Sequence, residues 1–265
     1  MTTRTAVLAP ARSSPLPALA GLVRAEVLKL TRVPAFTVPT VLFPIMIFAL
    51  FGLPNVGESL SGVNAGQYLT VSYAAYSLMS VALFSFGVSV AAERGLGWTR
   101  MLRVTPMPPA LYFVGKMLAA MLIGLVSVSL LISFATLVGQ VRFAPLTLVL
   151  VVLKLLAGML PFVALGLLIG YAAGPNSAAA IANVIFLPLS FMSGLLIPLD
   201  GGPAFLRSFA PYSPAYHFAQ LGWSTLGAKS AGSELSHWLW LAGYAALFFA
   251  LALWAYKRDE GRKYG

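Results

Sequence analysis

The groups that could do chemistry in this 265-residue chain are few: seven carboxylates, two histidines and no cysteine. Catalysis inside a membrane needs paired carboxylates, or a nucleophile beside a base, at membrane depth. Glu26, Glu58, Glu93, Asp200, Glu234, Asp259 and Glu260 all fall outside the interiors of the long apolar runs, so neither intramembrane hydrolysis nor ion coupling through buried carboxylates is expected. Gly-x-Ser-x-Gly and His-Glu-x-x-His are absent. His217 and His237 read as isolated and external, with no metal role. The lack of cysteine removes disulfides and thiolate sites and leaves the redox compartment open. What remains is one polar, basic stretch, Glu93-Arg94-Gly95-Leu96-Gly97-Trp98-Thr99-Arg100-Met101-Leu102-Arg103-Val104-Thr105-Pro106, with a long apolar segment on each side. Trp98, Met101 and Leu102 have helical spacing among arginines, and Pro106, Pro108 and Pro109 stop the helix. Apolar anchors ringed by arginine are the composition of a protein–protein hot spot. The competing reading is a basic loop resting on lipid headgroups.

The elements that would position this stretch are membrane helices. The chain is 59% hydrophobic and 9% charged, with mean hydropathy +0.88; soluble domains carry about 25% charged residues. The apolar runs are continuous, which argues for helices and against a barrel. Six spans are expected, at about Val33–Leu53, Tyr68–Ala92, Tyr112–Val138, Leu146–Ala173, Ala178–Leu199 and His237–Tyr256. Pro34, Pro39 and Pro44 predict a kinked or broken first span. Residues 1–16 read as a disordered, polar arm with no signal-peptide core.

Thirteen of the seventeen Lys and Arg residues fall on one side of such a bundle: five in the N-terminal arm, four around the Glu93 loop and four in the basic tail, residues 257–265. The positive-inside rule makes that side cytoplasmic, with both termini inside. The basic excess is then an orientation signal and an anionic-lipid contact, not a nucleic-acid surface.

Pro17 to Arg32 reads as an amphipathic helix, with Leu19, Val23, Val27 and Leu30 on one face, Arg24, Lys29 and Arg32 on the other, and Glu26 between. It is either a surface anchor or a lever into a cytoplasmic contact. Residues 200–236, broken by Pro203, Pro211 and Pro214 and rich in aromatics, read as short re-entrant helices at the outer leaflet or as an aromatic belt. Gly158, Gly166, Gly170 and Gly174 give small-residue spacing for close helix approach, within one subunit or at a dimer seam. Lys154, read as the one charge well inside a span, either snorkels outward or faces a water-filled cavity. Asn183, Ser190, Phe191 and Ser193 are the other candidate pathway residues.

The order Glu-Arg-Gly, a Trp/Met/Leu helix, Thr-Pro-x-Pro and a Gly-Lys opening the next span resembles permeases of the type-2 ABC transporter family. The Arg24-Ala25-Glu26-Val27-Leu28-Lys29 arm, the Pro188–Leu199 segment and Ala210-Pro211-Tyr212-Ser213-Pro214-Ala215-Tyr216 resemble the family's interface helix, fifth span and following segment. The similarity covers about Leu19 to Arg258. Leu96-Gly97 departs from it, since family members more often carry Thr after the Gly. The resemblance implies an all-α, six-span permease of the cell membrane of a bacterial-type cell. It implies an ATPase-coupling loop over residues 93–111, with Glu93, Arg94, Gly95, Trp98, Arg100, Met101, Leu102, Arg103, Thr105 and Pro106 as its contact set. Arg24, Glu26, Lys29 and Arg32 would act on the interface helix. Two copies of a separate ABC ATPase subunit would hold ATP and Mg, and a second permease copy or a paralogue would complete the pathway. The chain itself lacks the phosphate-cradling loop: Gly115-Lys116 is followed by Met117, with Ala110 where the first Gly belongs. The implied cargo is an amphipathic or hydrophobic drug, natural product or lipid, moved outward.

Overall fold

A computed structural model describes residues 15–32, 34–98, 101, 109–199 and 203–261. The expected disordered arm, the centre of the polar loop, Asp200 and the last four residues therefore lie mostly or wholly outside the described residues, although Pro15 and Leu16 already belong to a helix. Among the described residues the secondary structure is helical apart from one short hairpin of two-residue strands, β1 (Ser59–Leu60) and β2 (Val63–Asn64), paired antiparallel with Leu60 opposite Val63.

The helices follow hydropathy and breakers. Helix α1 (Pro15–Arg32) is the amphipathic element. Helix α2 (Pro34–Ile47) runs through Pro39 and Pro44 without a break; the irregularity comes later, where a π turn (Phe48–Gly52) and a 3-10 turn (Leu53–Asn55) close the segment. Helix α3 (Ala65–Ser80), capped by the Asn64 side chain accepting from the Gln67 amide, continues through a π segment (Val81–Val88) into α4 (Ser89–Gly95) as one 31-residue rod. Helix α5 spans Pro109–Leu137, α6 Pro145–Gly158 and α7 Leu160–Ala172. Helix α8 (Ala178–Met192) is shorter than the expected fifth span, because the chain turns at Gly194 with φ +82°, a conformation glycine adopts without strain. Short α9 (Ala204–Phe209), a 3-10 turn and α10 (Pro214–Thr225) follow, then α11 (Glu234–Gly261), which carries the start of the basic tail in helical form.

Four stretches among the described residues are long and apolar enough to cross a membrane: Ala65–Gly95, Ala110–Leu137, Pro145–Ala172 and Glu234–Arg258, with Thr40–Asn55 and Ala178–Met192 as shorter apolar helices. The α3–α4 rod is the hub, 83% of its apolar window being buried against 17% for α11. Small residues let its neighbours close in. A Cβ on Gly87 would lie 2.6 Å from the Gly166 carbonyl oxygen, and one on Gly170 would lie 2.9 Å from Val90. The small-residue stripe is thus spent inside the subunit at Gly158, Gly166 and Gly170, where Gly158 faces Phe218.

Helix α10 explains the aromatic external segment. It is buried from Pro214 to Trp223 and packs on α3, α6 and α11. Trp223 stacks on Tyr68 at 4.6 Å between ring centroids and donates from Nε1 to Ser72 Oγ at 2.9 Å.

Candidate functional site

The polar loop and the amphipathic helix meet in a buried cluster of alternating charge. Glu93, near the end of α4, is only 8% exposed. Lys29 of α1 and Tyr112 of α5 both donate to its carboxylate, Lys116 Nζ of α5 lies 2.8 Å from Oε1, and Ser89 Oγ donates at 3.2 Å. Lys116 also reaches Glu26 Oε2 at 2.9 Å and Ser89 Oγ at 3.1 Å. Its ammonium sits 5.4 Å from the centre of the Tyr112 ring. Lys29 Nζ is 2.9 Å from Ser89 Oγ and 3.8 Å from Glu26. Two carboxylates and two ammonium groups therefore neutralise one another, with hydroxyls filling the remaining sites. This satisfies the requirement for burying charge at low dielectric. The arrangement ties α1, α4 and α5 together.

Arg94 turns the other way. Its guanidinium donates to the Tyr171 and Ala173 carbonyls at the C-terminal end of α7, at 2.6 Å for the latter, and lies over the Tyr171 ring. A cation at the C-terminal end of a helix is favourable, since it meets the negative end of the helix dipole. Gly95 packs on Pro175, which a Cβ would meet at 2.5 Å. The three residues Glu93-Arg94-Gly95 thus face into the permease. Leu96, Trp98 and Met101 do the opposite, at 86%, 44% and 61% exposure. The chain turns at Leu96 and Gly97, the latter with φ +77°, and Trp98 and Met101 lie beyond the turn. Arg100, Leu102, Arg103, Thr105 and Pro106 lie outside the described residues, as does the side chain of Arg32. Arg24 is exposed on α1.

The candidate pathway residues do not converge. Lys154 Nζ reaches the Glu234 carboxylate at 2.8 Å, at the start of α11, the outer end under the positive-inside orientation. Asn183 is exposed and bonds back to the Ala179 carbonyl. Ser190 and Ser193 are fully buried and bond to carbonyls of their own helix, Phe186 and Ser190, while Phe191 is exposed. The reading of Lys154 as the one charge deep in a span is corrected by Lys116, which lies two turns into α5 and is 3% exposed. The histidines are not isolated either: His217 Nδ1 and His237 Nδ1 are 2.9 Å apart, and His217 Nε2 meets the Pro211 carbonyl at 2.9 Å. Tyr112 and Ser89 were not singled out by sequence reasoning. The available signal was Lys116 itself, since a lysine inside an apolar helix must find a partner.

The fold and this cluster define a multi-pass, mostly helical integral membrane protein in which residues 93–95 of the polar loop are braced from within and Leu96, Trp98 and Met101 are exposed. Residues 18–226 match the family described as ABC-2 type transporter, and the chain belongs to that family. It is similar to the "Putative transport permease YvfS" of Bacillus subtilis (strain 168), with 26% identity over 237 residues, 89% of this chain and 96% of that protein. It is also similar to the "Probable multidrug ABC transporter permease YbhR" of Escherichia coli (strain K12), with 27% identity over 135 residues, 51% of this chain and 36% of that one. Membership of that family makes the chain a transport permease.

Proposed function

We propose that this permease is the membrane subunit of an ATP-driven exporter. Its ATPase is a separate ABC subunit, which binds ATP and Mg and docks on the face made by Leu96, Trp98 and Met101. The observation that carries this reading is the division of the loop. Residues 93–95 are locked into α1, α5 and α7, and three large apolar side chains beyond them are left uncovered. A force applied to Trp98 and Met101 would reach Glu93 and Lys116, and through them α1 and α5, across the two-residue turn at Leu96 and Gly97. Membership of the ABC-2 family supports the partner, since the family implies assembly with an ABC ATPase. In this reading the chain has six spans with both termini in the cytoplasm, two permease copies or a copy and a paralogue form the pathway, and the complex resides in the cell membrane of a bacterial-type cell. The cargo is an amphipathic or hydrophobic compound such as a drug, natural product or lipid, in keeping with an interior nearly free of charge and with the multidrug name of one relative.

The test is co-purification from the native host. Wild-type permease in detergent should retain an ABC ATPase, and Met101→Asp should lose it while remaining monodisperse. An ATPase absent from both samples, with the protein folded, would remove the docking assignment.

A further inference from the structure

The apolar stripe of α1 does not close completely onto α5. Leu19, Val23 and Leu28 on one side and Leu118 and Leu122 on the other line a groove of about 570 Å³, and Arg24 is the one charged residue in its wall. That volume is within the range of ligand sites, roughly 300–1,000 Å³. The other cations of the junction are occupied: Lys29 and Lys116 are held by Glu26 and Glu93. Arg24 is exposed and makes no hydrogen bond or ion pair among the described residues. A guanidinium with five unspent donors matches a phosphate in geometry as well as charge. The walls leading away from it are hydrocarbon, and Leu122 is half exposed on the side of α5 that enters the bilayer. The site therefore has an anion-binding head and an apolar track, in the order that a phospholipid presents phosphate and acyl chain. It also discriminates among headgroups. Glu26, the carboxylate on α1, is already held by Lys116 and Lys29, so the groove has no free anion for the cationic part of a zwitterionic headgroup.

We propose that the α1–α5 groove binds an anionic phospholipid of the cytoplasmic leaflet, its phosphate on Arg24 and one acyl chain between Val23 and Leu122. The leaflet follows from the positive-inside orientation; the site does not depend on where the ATPase docks.

The experiment uses the full-length protein, delipidated in detergent and titrated with dioleoyl phosphatidylglycerol or dioleoyl phosphatidylcholine, with bound lipid counted by native mass spectrometry. The first phosphatidylglycerol should bind about fivefold more tightly than phosphatidylcholine, the factor expected for one well-placed arginine. Arg24→Gln should abolish that preference, and Arg142→Gln, an exposed arginine of the α5–α6 connection, should keep it. Leu122→Trp, which fills the track at an exposed position, should weaken phosphatidylglycerol without lowering the melting temperature. Glycerol phosphate at matched concentration should not displace the lipid. Equal binding of the two lipids by wild type, a preference that survives Arg24→Gln, or displacement by glycerol phosphate would each overturn the proposal. Should Arg24→Gln melt early, Leu122→Trp decides: undiminished phosphatidylglycerol binding in that variant overturns the site.

Discussion

Lys116 Nζ lies 2.8 Å from Glu93 Oε1, and the same ammonium is 2.9 Å from Glu26, so a single lysine of α5 holds both the interface helix and the base of the polar loop. Its side chain is 2% exposed and that of Glu93 10%. Removing one partner of such a pair strands a buried charge at a cost of about 3–5 kcal/mol. Lys116→Met and Glu93→Gln should each lower thermal stability in detergent substantially. The double variant should lose less than the sum of the two, because neither charge is then stranded. Thermal unfolding followed by light scattering or intrinsic fluorescence checks both statements; additive losses would mean that the two groups do not act as a pair.

The loop should separate into residues that affect folding and residues that affect only docking. Arg94→Ala removes two hydrogen bonds to the end of α7 and should destabilise the isolated permease. Trp98→Asp and Met101→Asp change exposed side chains and should leave its melting temperature within error. If the face is a hot spot, each should weaken ATPase binding by about 2 kcal/mol, roughly 30-fold. Surface-tethered permease titrated with the purified ATPase gives that number.

The crossing of the α3–α4 rod with α7 has no room for side chains. A Cβ on Gly166 would lie 2.5 Å from the Ala82 carbonyl oxygen, and backbone cannot move aside as a flexible side chain does. Gly166→Val and Gly87→Val should abolish monodisperse expression, since overpacking costs about 1–3 kcal/mol even where side chains can shift. Gly174→Ala, whose nearest neighbour would be Ser177 Oγ at 3.4 Å, should be tolerated. Fluorescence-detected size exclusion of the three variants distinguishes them.

Acid should weaken the seat of α10. Burial pushes the His217 imidazole below its usual pKa, partly offset by its bond to the Pro211 carbonyl, while neighbouring His237 adds to the depression. A group whose folded pKa is depressed contributes stability that is present above its unfolded value, about 6.5, and lost as pH falls below it. Wild-type protein should therefore melt earlier at pH 5.5 than at pH 7.5, and His217→Asn should narrow that difference. An unchanged difference would assign the acid sensitivity to other groups.

The membrane class, the order of six apolar segments, the amphipathic α1, the short helices before α11 and the exposed Trp98 and Met101 were all legible in the sequence. Hydropathy, helical spacing and proline or glycine breakers are local properties, and each of these features is local. The pairing of Glu93 with Lys29 and of Glu26 with Lys116 was not, because the partners are 64 and 90 residues apart. The same holds for His217 with His237, and for Gly166 facing Gly87. Inside a bilayer one apolar helix face resembles another to the surrounding lipid, so hydropathy does not say which faces meet. Which helices touch is decided by the fit of small residues and the need of every buried charge for a partner, and both are settled only when the helices have packed.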